Sequence, residues 1–78
     1  MRVEHDPEAN ALYVYLHDAP FAYNTILDDR RVIDYAADGR AIGVEFLNVS
    51  YGVDVRDTPD PRGIGRAVEE HNLKVFAS

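Results

Sequence analysis

The 78-residue chain contains no cysteine, which excludes disulfides and metal sites built on thiolates. It has no long apolar run either, since the longest spans residues 11–16 and a membrane helix needs about 20 residues. No apolar stretch follows Met1-Arg2-Val3, so a signal peptide is not expected. The sequence therefore predicts a cytoplasmic protein that starts at Met1 and has no membrane partner.

Basic residues are scarce. Eight Lys and Arg stand against fourteen Asp and Glu, which gives a net charge of −6. Most of the excess lies in residues 1–50, with nine acids and four bases, whereas residues 51–78 carry five acids and four bases. A negative domain repels phosphate backbones, so nucleic acid is not expected among the partners. The excess suits a basic protein partner, and it also serves plain solubility.

Residue patterns that carry catalysis or bind cofactors are missing as well. The two serines, Ser50 and Ser78, show no Ser/His/Asp arrangement, and Gly63-Ile64-Gly65 matches neither nucleotide-binding fingerprint. The three histidines have no spacing typical of metal ligands. We therefore expect no cofactor and no metal, and we favour a protein that is not an enzyme.

The length predicts a single small domain over residues 1–78. The hydrophobic core of a domain this small contributes only about 3–5 kcal/mol to its stability, so small domains often need an additional stabilising element. Because disulfides are excluded, association with further copies of the chain is the remaining way to stabilise the domain, and we expect a homo-oligomer. A second subunit would also cover sheet surface that one helix cannot reach.

Apolar–polar alternation and turn signals predict a sheet followed by a helix. The predicted strands cover five segments, 2–6, 11–17, 22–27, 31–35 and 40–48. Residues 48–56 form a sixth strand or an extended connector, and 73–76 a closing strand or docked tail. Asp60 and Pro61 start a helix that runs to about His71. Strands before one helix predict an α+β fold, an antiparallel β-meander of about five to six strands with the C-terminal helix packed on one face.

Two turn signals, over residues 6–10 and at Asp38-Gly39, set the register of two hairpins. In the second hairpin, a two-residue loop pairs Tyr35 with Ile42. The alternation then sorts the side chains onto two faces. The core face carries Leu12, Val14, Leu16, Ile33, Ile42, Val44 and Phe46, and the other face carries Tyr13, Tyr15, Asp34 and Glu45.

Asp34 and Glu45 are the candidate polar site. They are predicted to be diagonal neighbours on adjacent strands, and Gly43, opposite Asp34, leaves open space beside them. Two adjacent carboxylates can exchange a proton with a substrate or bind a divalent cation. An ordinary solvent-exposed sheet surface would also carry two such carboxylates, and both interpretations stay open.

Tyr13, Tyr15 and His17 are the candidate interface. By parity they project from the face opposite the core. Tyrosine is frequent at interfaces because it buries a large ring while keeping a polar tip. A half-exposed strand surface with cross-strand pairs is the alternative.

Three stretches carry a family resemblance, DPEANALYV (6–14), VIDYAADGR (32–40) and IGVEFLNVS (42–50). Together they resemble the small bacterial proteins of domain-of-unknown-function family 2283. The tail that follows, with its helix and Leu73-Lys74-Val75, is similar to longer members. The chain departs from the family pattern at Asn10, where Asp is common, and at Ala37, where an acid is often found.

The resemblance implies a small β-rich domain and assigns no catalytic residue. Some members lie beside genes for small RNase-like toxins, which implies an antitoxin-like role in which an acidic face meets a basic toxin. Three hypotheses follow: a non-enzymatic protein-interaction module that acts as a homo-oligomer, an antitoxin-like partner of a small basic RNase-like toxin, and a small metal-binding or acid/base site at Asp34 and Glu45.

Overall fold

The computed structural model describes residues 1–77, which form a five-stranded antiparallel sheet and a C-terminal helix. The strands of the sheet are β1 (Arg2–Asp6), β2 (Ala11–Tyr15), β3 (Tyr23–Asp28), β4 (Arg31–Tyr35) and β5 (Ala41–Leu47). They are followed by a 3₁₀ helix (Val49–Tyr51), the short strand β6 (Val53–Asp54), the helix α1 (Pro61–Glu69) and the short strand β7 (Val75–Phe76). The predicted α+β fold class is confirmed. None of the helices in residues 1–77 has the length and apolar character needed to cross a membrane.

The strand order in the sheet is β1-β2-β5-β4-β3. The meander therefore runs through β3, β4 and β5, and the first hairpin joins it at β5. Burial explains this arrangement, because four of the seven β5 residues are buried whereas five of the six β3 residues are exposed. The longest strand, which has the most buried residues, lies at the centre, where neighbours on both sides remove its surface from water.

The predicted register is confirmed in the first hairpin, where Val3 pairs with Val14 and Glu4 with Tyr13. Its turn is closed by the Asp6 carboxylate, which accepts a hydrogen bond from the amide of Ala9 at 3.2 Å.

The second hairpin keeps the predicted pair between Asp34 and Gly43, but the expected pair between Tyr35 and Ile42 is wrong. The register shifts after Asp34, and Tyr35 lies opposite Ala41. The cause is the turn, which is one residue longer than the two-residue type. The amide of Ala36 donates to the carbonyl of Arg40 at 2.9 Å, so three residues form the loop, with Gly39 at a φ of 89°.

The inner face of the sheet packs against the chain's own C-terminal segment. All seven predicted core residues are buried or half-buried. The helix alone does not cover this face, as expected, and the 3₁₀ helix and β6 region of the same chain add to the cover, which stops short of β3. The buried cluster unites residues from the sheet with residues from that segment: Leu12, Val14, Ile33, Val44, Phe46, Val49, Val53, Val55, Ile64 and Val68.

The helix α1 begins as its sequence predicts. Asp60 caps it by accepting a hydrogen bond from the amide of Gly63 at 3.0 Å, and Pro61 occupies its first position. It ends at Glu69, two residues before the predicted end at His71. His71 is exposed and therefore does not extend the buried stripe of the helix.

Arg31 joins the sheet to the segment that covers it. The residue is only 7% exposed, and its guanidinium bonds the Asp28 carboxylate at 2.8 and 3.0 Å. The same group donates to the backbone carbonyls of Asp54, at 3.2 Å, and of Arg56. Bonding to Arg31 lowers the pKa of Asp28, and bonding to Arg56 lowers the pKa of Asp54 to about 2. A buried guanidinium requires partners, so Arg31 fixes how residues 54–56 lie on β4.

Replacing Arg31 with alanine is expected to lower the free energy of unfolding by about 2–3 kcal/mol, because two backbone carbonyls lose their donor. Arg40→Ala is the matched control, since Arg40 forms an exposed ion pair with Asp38 at 2.7 Å and exposed pairs contribute little. Urea unfolding followed by circular dichroism measures both variants. Equal losses in the two variants would show that Arg31 is not a structural anchor.

Candidate functional site

The outer face of the sheet, opposite the core, carries four of the five candidate residues. Its side chains form two adjacent rows across all five strands. In the order β1, β2, β5, β4, β3, one row contains Arg2, Tyr15, Gly43, Asp34 and Asn24, and the next contains Glu4, Tyr13, Glu45, Val32 and Ile26.

Tyr13 and Asp34 are connected across the central strand. The Tyr13 hydroxyl donates a hydrogen bond to Oδ2 of Asp34 at 2.9 Å. To reach it, the ring crosses β5 diagonally over Gly43, where any Cβ would overlap the ring. Glycine is the residue that permits this approach, because it presents only backbone to the ring. The Tyr13 side chain therefore packs directly on the backbone of Gly43.

This contact corrects the expectation that Gly43 leaves open space beside the two carboxylates. Asp34 and Glu45 are diagonal neighbours, as the register predicts. The Tyr13 ring nevertheless occupies the space over Gly43. A glycine inside a strand was the signal, since it often marks a site that a neighbouring group approaches closely.

The environment of Tyr13 keeps its hydroxyl protonated. Burial raises the pKa of Tyr13 far above its usual range, and the hydrogen bond to Asp34 and the negative charge of Asp34 raise it further. The charge of Glu45 acts in the same direction. Tyr13 is thus a neutral hydrogen-bond donor, and it is not suited to act as a base at physiological pH.

Tyr15 extends the contact toward the edge of the sheet. Its ring meets that of Tyr13 edge-on, with the centroids 4.7 Å apart. The Arg2 guanidinium lies 3.8 Å from the centroid of the Tyr15 ring, on its face. We call the resulting series, which runs from β1 to β4, the tyrosine ladder: Arg2, Tyr15, Tyr13 and Asp34. Arg2 was not among the residues singled out from the sequence, although the predicted register of the first hairpin already places it opposite Tyr15.

His17 lies just beyond the end of β2, where the chain bulges. The amides of Leu16 and His17 both donate to the carbonyl of Ile42, at 2.9 and 3.3 Å. His17 is exposed, and it borders a shallow depression of about 460 Å³ that Tyr13 and Tyr15 also line. The three candidate interface residues therefore share one surface.

The carboxylates of the outer face do not build a metal cluster. Within residues 1–77, no three His, Cys, Asp or Glu side chains are grouped so that they could hold a metal ion. Asp34 already accepts the Tyr13 hydroxyl, and Glu45 is exposed. Chemically, the arrangement offers acceptors and aromatic rings at a surface.

Gly43→Ala is expected to lower the free energy of unfolding by about 1–3 kcal/mol, because the added methyl group displaces the Tyr13 ring. In a Tyr13→Ala background the same substitution meets no ring, and its cost should largely vanish. Urea unfolding of the four proteins in this double-mutant cycle measures the coupling. Equal costs in the two backgrounds would contradict the seating of Tyr13 on Gly43.

Alkaline pH is expected to destabilise the protein through Tyr13. An unfolded tyrosine ionises near pH 10, whereas folded Tyr13 stays neutral, so stability falls as the pH rises above about 10. Tyr13→Phe should reduce this loss, and Tyr51→Phe, at a residue 67% exposed, is the matched control. Thermal unfolding between neutral and alkaline pH tests the pair, and an identical pH dependence in all three proteins would refute the role of Tyr13.

Comparisons with known proteins identify a family. The family model described as Protein of unknown function (DUF2283) matches residues 2–50, which include all five strands of the sheet. A search of curated proteins and a search of solved structures each found no match. Because the match covers well over half of the chain, and the sequence resemblance agrees with it, this protein belongs to the DUF2283 family.

Proposed function

We propose that the protein is a non-enzymatic protein-interaction module of the cytoplasm that acts as a homo-oligomer. The observation that carries the proposal is the tyrosine ladder on an uncovered sheet face. Two half-buried aromatic rings are held in place there, Tyr13 by its bond to Asp34 and Tyr15 by Arg2. Rings that are already ordered lose little entropy when a partner covers them.

The chemistry of the face supports binding better than catalysis. A general base must be free to take a proton, and the carboxylate of Asp34 is engaged by a tyrosine of raised pKa. The volume over Gly43 that a substrate would need is filled by a ring. The hypothesis of an acid/base or metal site at Asp34 and Glu45 is therefore less well supported than an interaction surface.

The charge of the outer face indicates the kind of partner. Glu4, Asp6, Asp34 and Glu45 project from it, with Arg2 as the cation of the same rows. Carboxylates around ordered tyrosines match a surface rich in Arg and Lys, which can pair with the acids and stack on the rings. This supports the second candidate function, an antitoxin-like partner of a small basic RNase-like toxin.

The non-enzymatic proposal is tested by assaying the purified protein against hydrolase substrates, with and without divalent cations. We expect no turnover. Turnover that Asp34→Asn or Glu45→Gln abolishes, while Asp18→Asn leaves it intact, would overturn the proposal. Asp18 is an exposed acid in the loop before β3 and serves as the matched control.

The antitoxin-like candidate is tested by co-expression with a basic protein encoded beside this gene. We expect co-purification that weakens in a Tyr15→Ala, Glu45→Lys variant and persists in Tyr51→Ala, a substitution at an exposed tyrosine in the 3₁₀ helix. Normal growth of cells that express the neighbouring protein alone would count against a toxin and hence against this candidate.

A further inference from the structure

We propose that two copies of the chain associate through the exposed edge of β3, which pairs with its symmetry mate and joins the two sheets into one of ten strands. This inference rests on the proposed homo-oligomer and specifies its contact. A strand at the edge of a sheet presents backbone donors and acceptors without partners, and a second copy of the same strand can satisfy them.

The composition of the two sheet edges differs in a way that favours β3. The other edge strand, β1, carries three charged side chains among its five residues, as edges protected against pairing usually do. By contrast, residues 19–27, which include most of β3, contain no charged residue in a chain of net charge −6. Two acidic copies can therefore approach each other at β3 without placing like charges in contact.

Exposed apolar surface is concentrated at the same edge. Phe21, Tyr23 and Ile26 are 58%, 47% and 71% exposed. Tyr23 stacks on Tyr35, with the ring centroids 5.1 Å apart, so it is already ordered before any partner arrives. Pairing along β3 would withdraw these side chains from water and so favour association.

The outer face itself is a poorer site for self-association. In a two-fold contact the same patch meets itself, so the carboxylates of Glu4, Asp34 and Glu45 would face their own copies. The acidic face repels a second copy while the neutral edge does not. Charge therefore assigns the edge to self-association and leaves the face to a partner of opposite charge.

The geometry of β3 also selects a register. Its pairing with β4 becomes irregular between Ile26 and Asp28, so the regular part ends at Ile26. An antiparallel two-fold centred on Asn24 stays within that part. It places Asn24 opposite Asn24 of the second copy, Tyr23 opposite Thr25, and Ile26 opposite Ala22. Pairs of an aromatic with a β-branched residue are favourable across strands, and no charge is opposed.

This register has a consequence for the outer faces. Residues directly opposite each other in a sheet project from the same face, so centring on a residue keeps both outer faces on one side of the joined sheet. The two tyrosine ladders then lie on a single surface, and a partner with repeated basic segments could engage both. Binding two sites at once strengthens attachment without any new contact.

The absence of cysteine from the natural chain makes a direct test possible. With Asn24→Cys, the two thiols would lie across the two-fold, close to the separation that a disulfide requires, and mild oxidation should give a covalent dimer. His5→Cys, on the exposed edge β1, is the matched control and should remain a monomer on a denaturing, non-reducing gel.

Sedimentation of the unmodified protein over the micromolar range supplies the second measurement. Asn24→Lys should raise the dissociation constant of the dimer at least about tenfold by opposing two ammonium groups, whereas His5→Lys should leave it unchanged. Unaltered circular dichroism of both lysine variants establishes that each is folded.

The outcomes separate this inference from the proposed function. Crosslinking through Asn24→Cys together with weakening by Asn24→Lys supports the β3 contact. A dimer that is neither crosslinked through Asn24→Cys nor weakened by Asn24→Lys overturns the β3 contact but still supports the proposed homo-oligomer. A wild-type protein that is monomeric over the whole micromolar range overturns both.

Discussion

The structure depends on one constraint: a sheet of five strands has two faces, and the chain after the sheet is long enough to cover only one of them. The inner face takes that cover, because Val53, Ile64 and Val68 pack onto the apolar side chains of the central strands. The outer face has to be stable in contact with water. It achieves this by local packing, with Tyr13 over Gly43 and Arg2 over Tyr15.

The same constraint explains why β3 differs from the other strands. It lies at the far edge from β1, and the helix contacts β1 and β7. Only Leu27 in β3 is withdrawn from solvent to any degree. A strand beyond the reach of the cover keeps its apolar residues exposed unless something outside the chain meets them. The outer face and the β3 edge are thus the two parts of the sheet that the C-terminal segment leaves uncovered, and they differ in charge: the outer face is acidic, whereas residues 19–27 at the β3 edge carry no charged side chain.

Local signals predicted most of the fold. Alternation with a period of two gave the five strands and both faces, and Asp60-Pro61 gave the start of the helix. Two features depend on tertiary structure and could not be predicted in this way. The place of β5 beside β2 follows from burial summed over the whole sheet, and the extra residue in the second turn follows from the conformation of Gly39. At the candidate site, the sequence placed Asp34 and Glu45 correctly as neighbours. It could not show which side chain lies over Gly43. The alternation of residues along a strand gives the face from which each side chain projects, but not the direction in which a long ring extends across the neighbouring strand.

The family match ends at residue 50, whereas much of the cover of the inner face comes from beyond it. Residues 2–50, which the family model matches, therefore contain the whole five-stranded sheet but not all of the residues that cover its inner face. The tail, held by Arg31 through the carbonyls of Asp54 and Arg56, completes this copy from within its own chain. The inner face of the sheet is thus covered in part by a segment that lies outside the family match, and the buried side chain of Arg31 joins the two parts by hydrogen bonds.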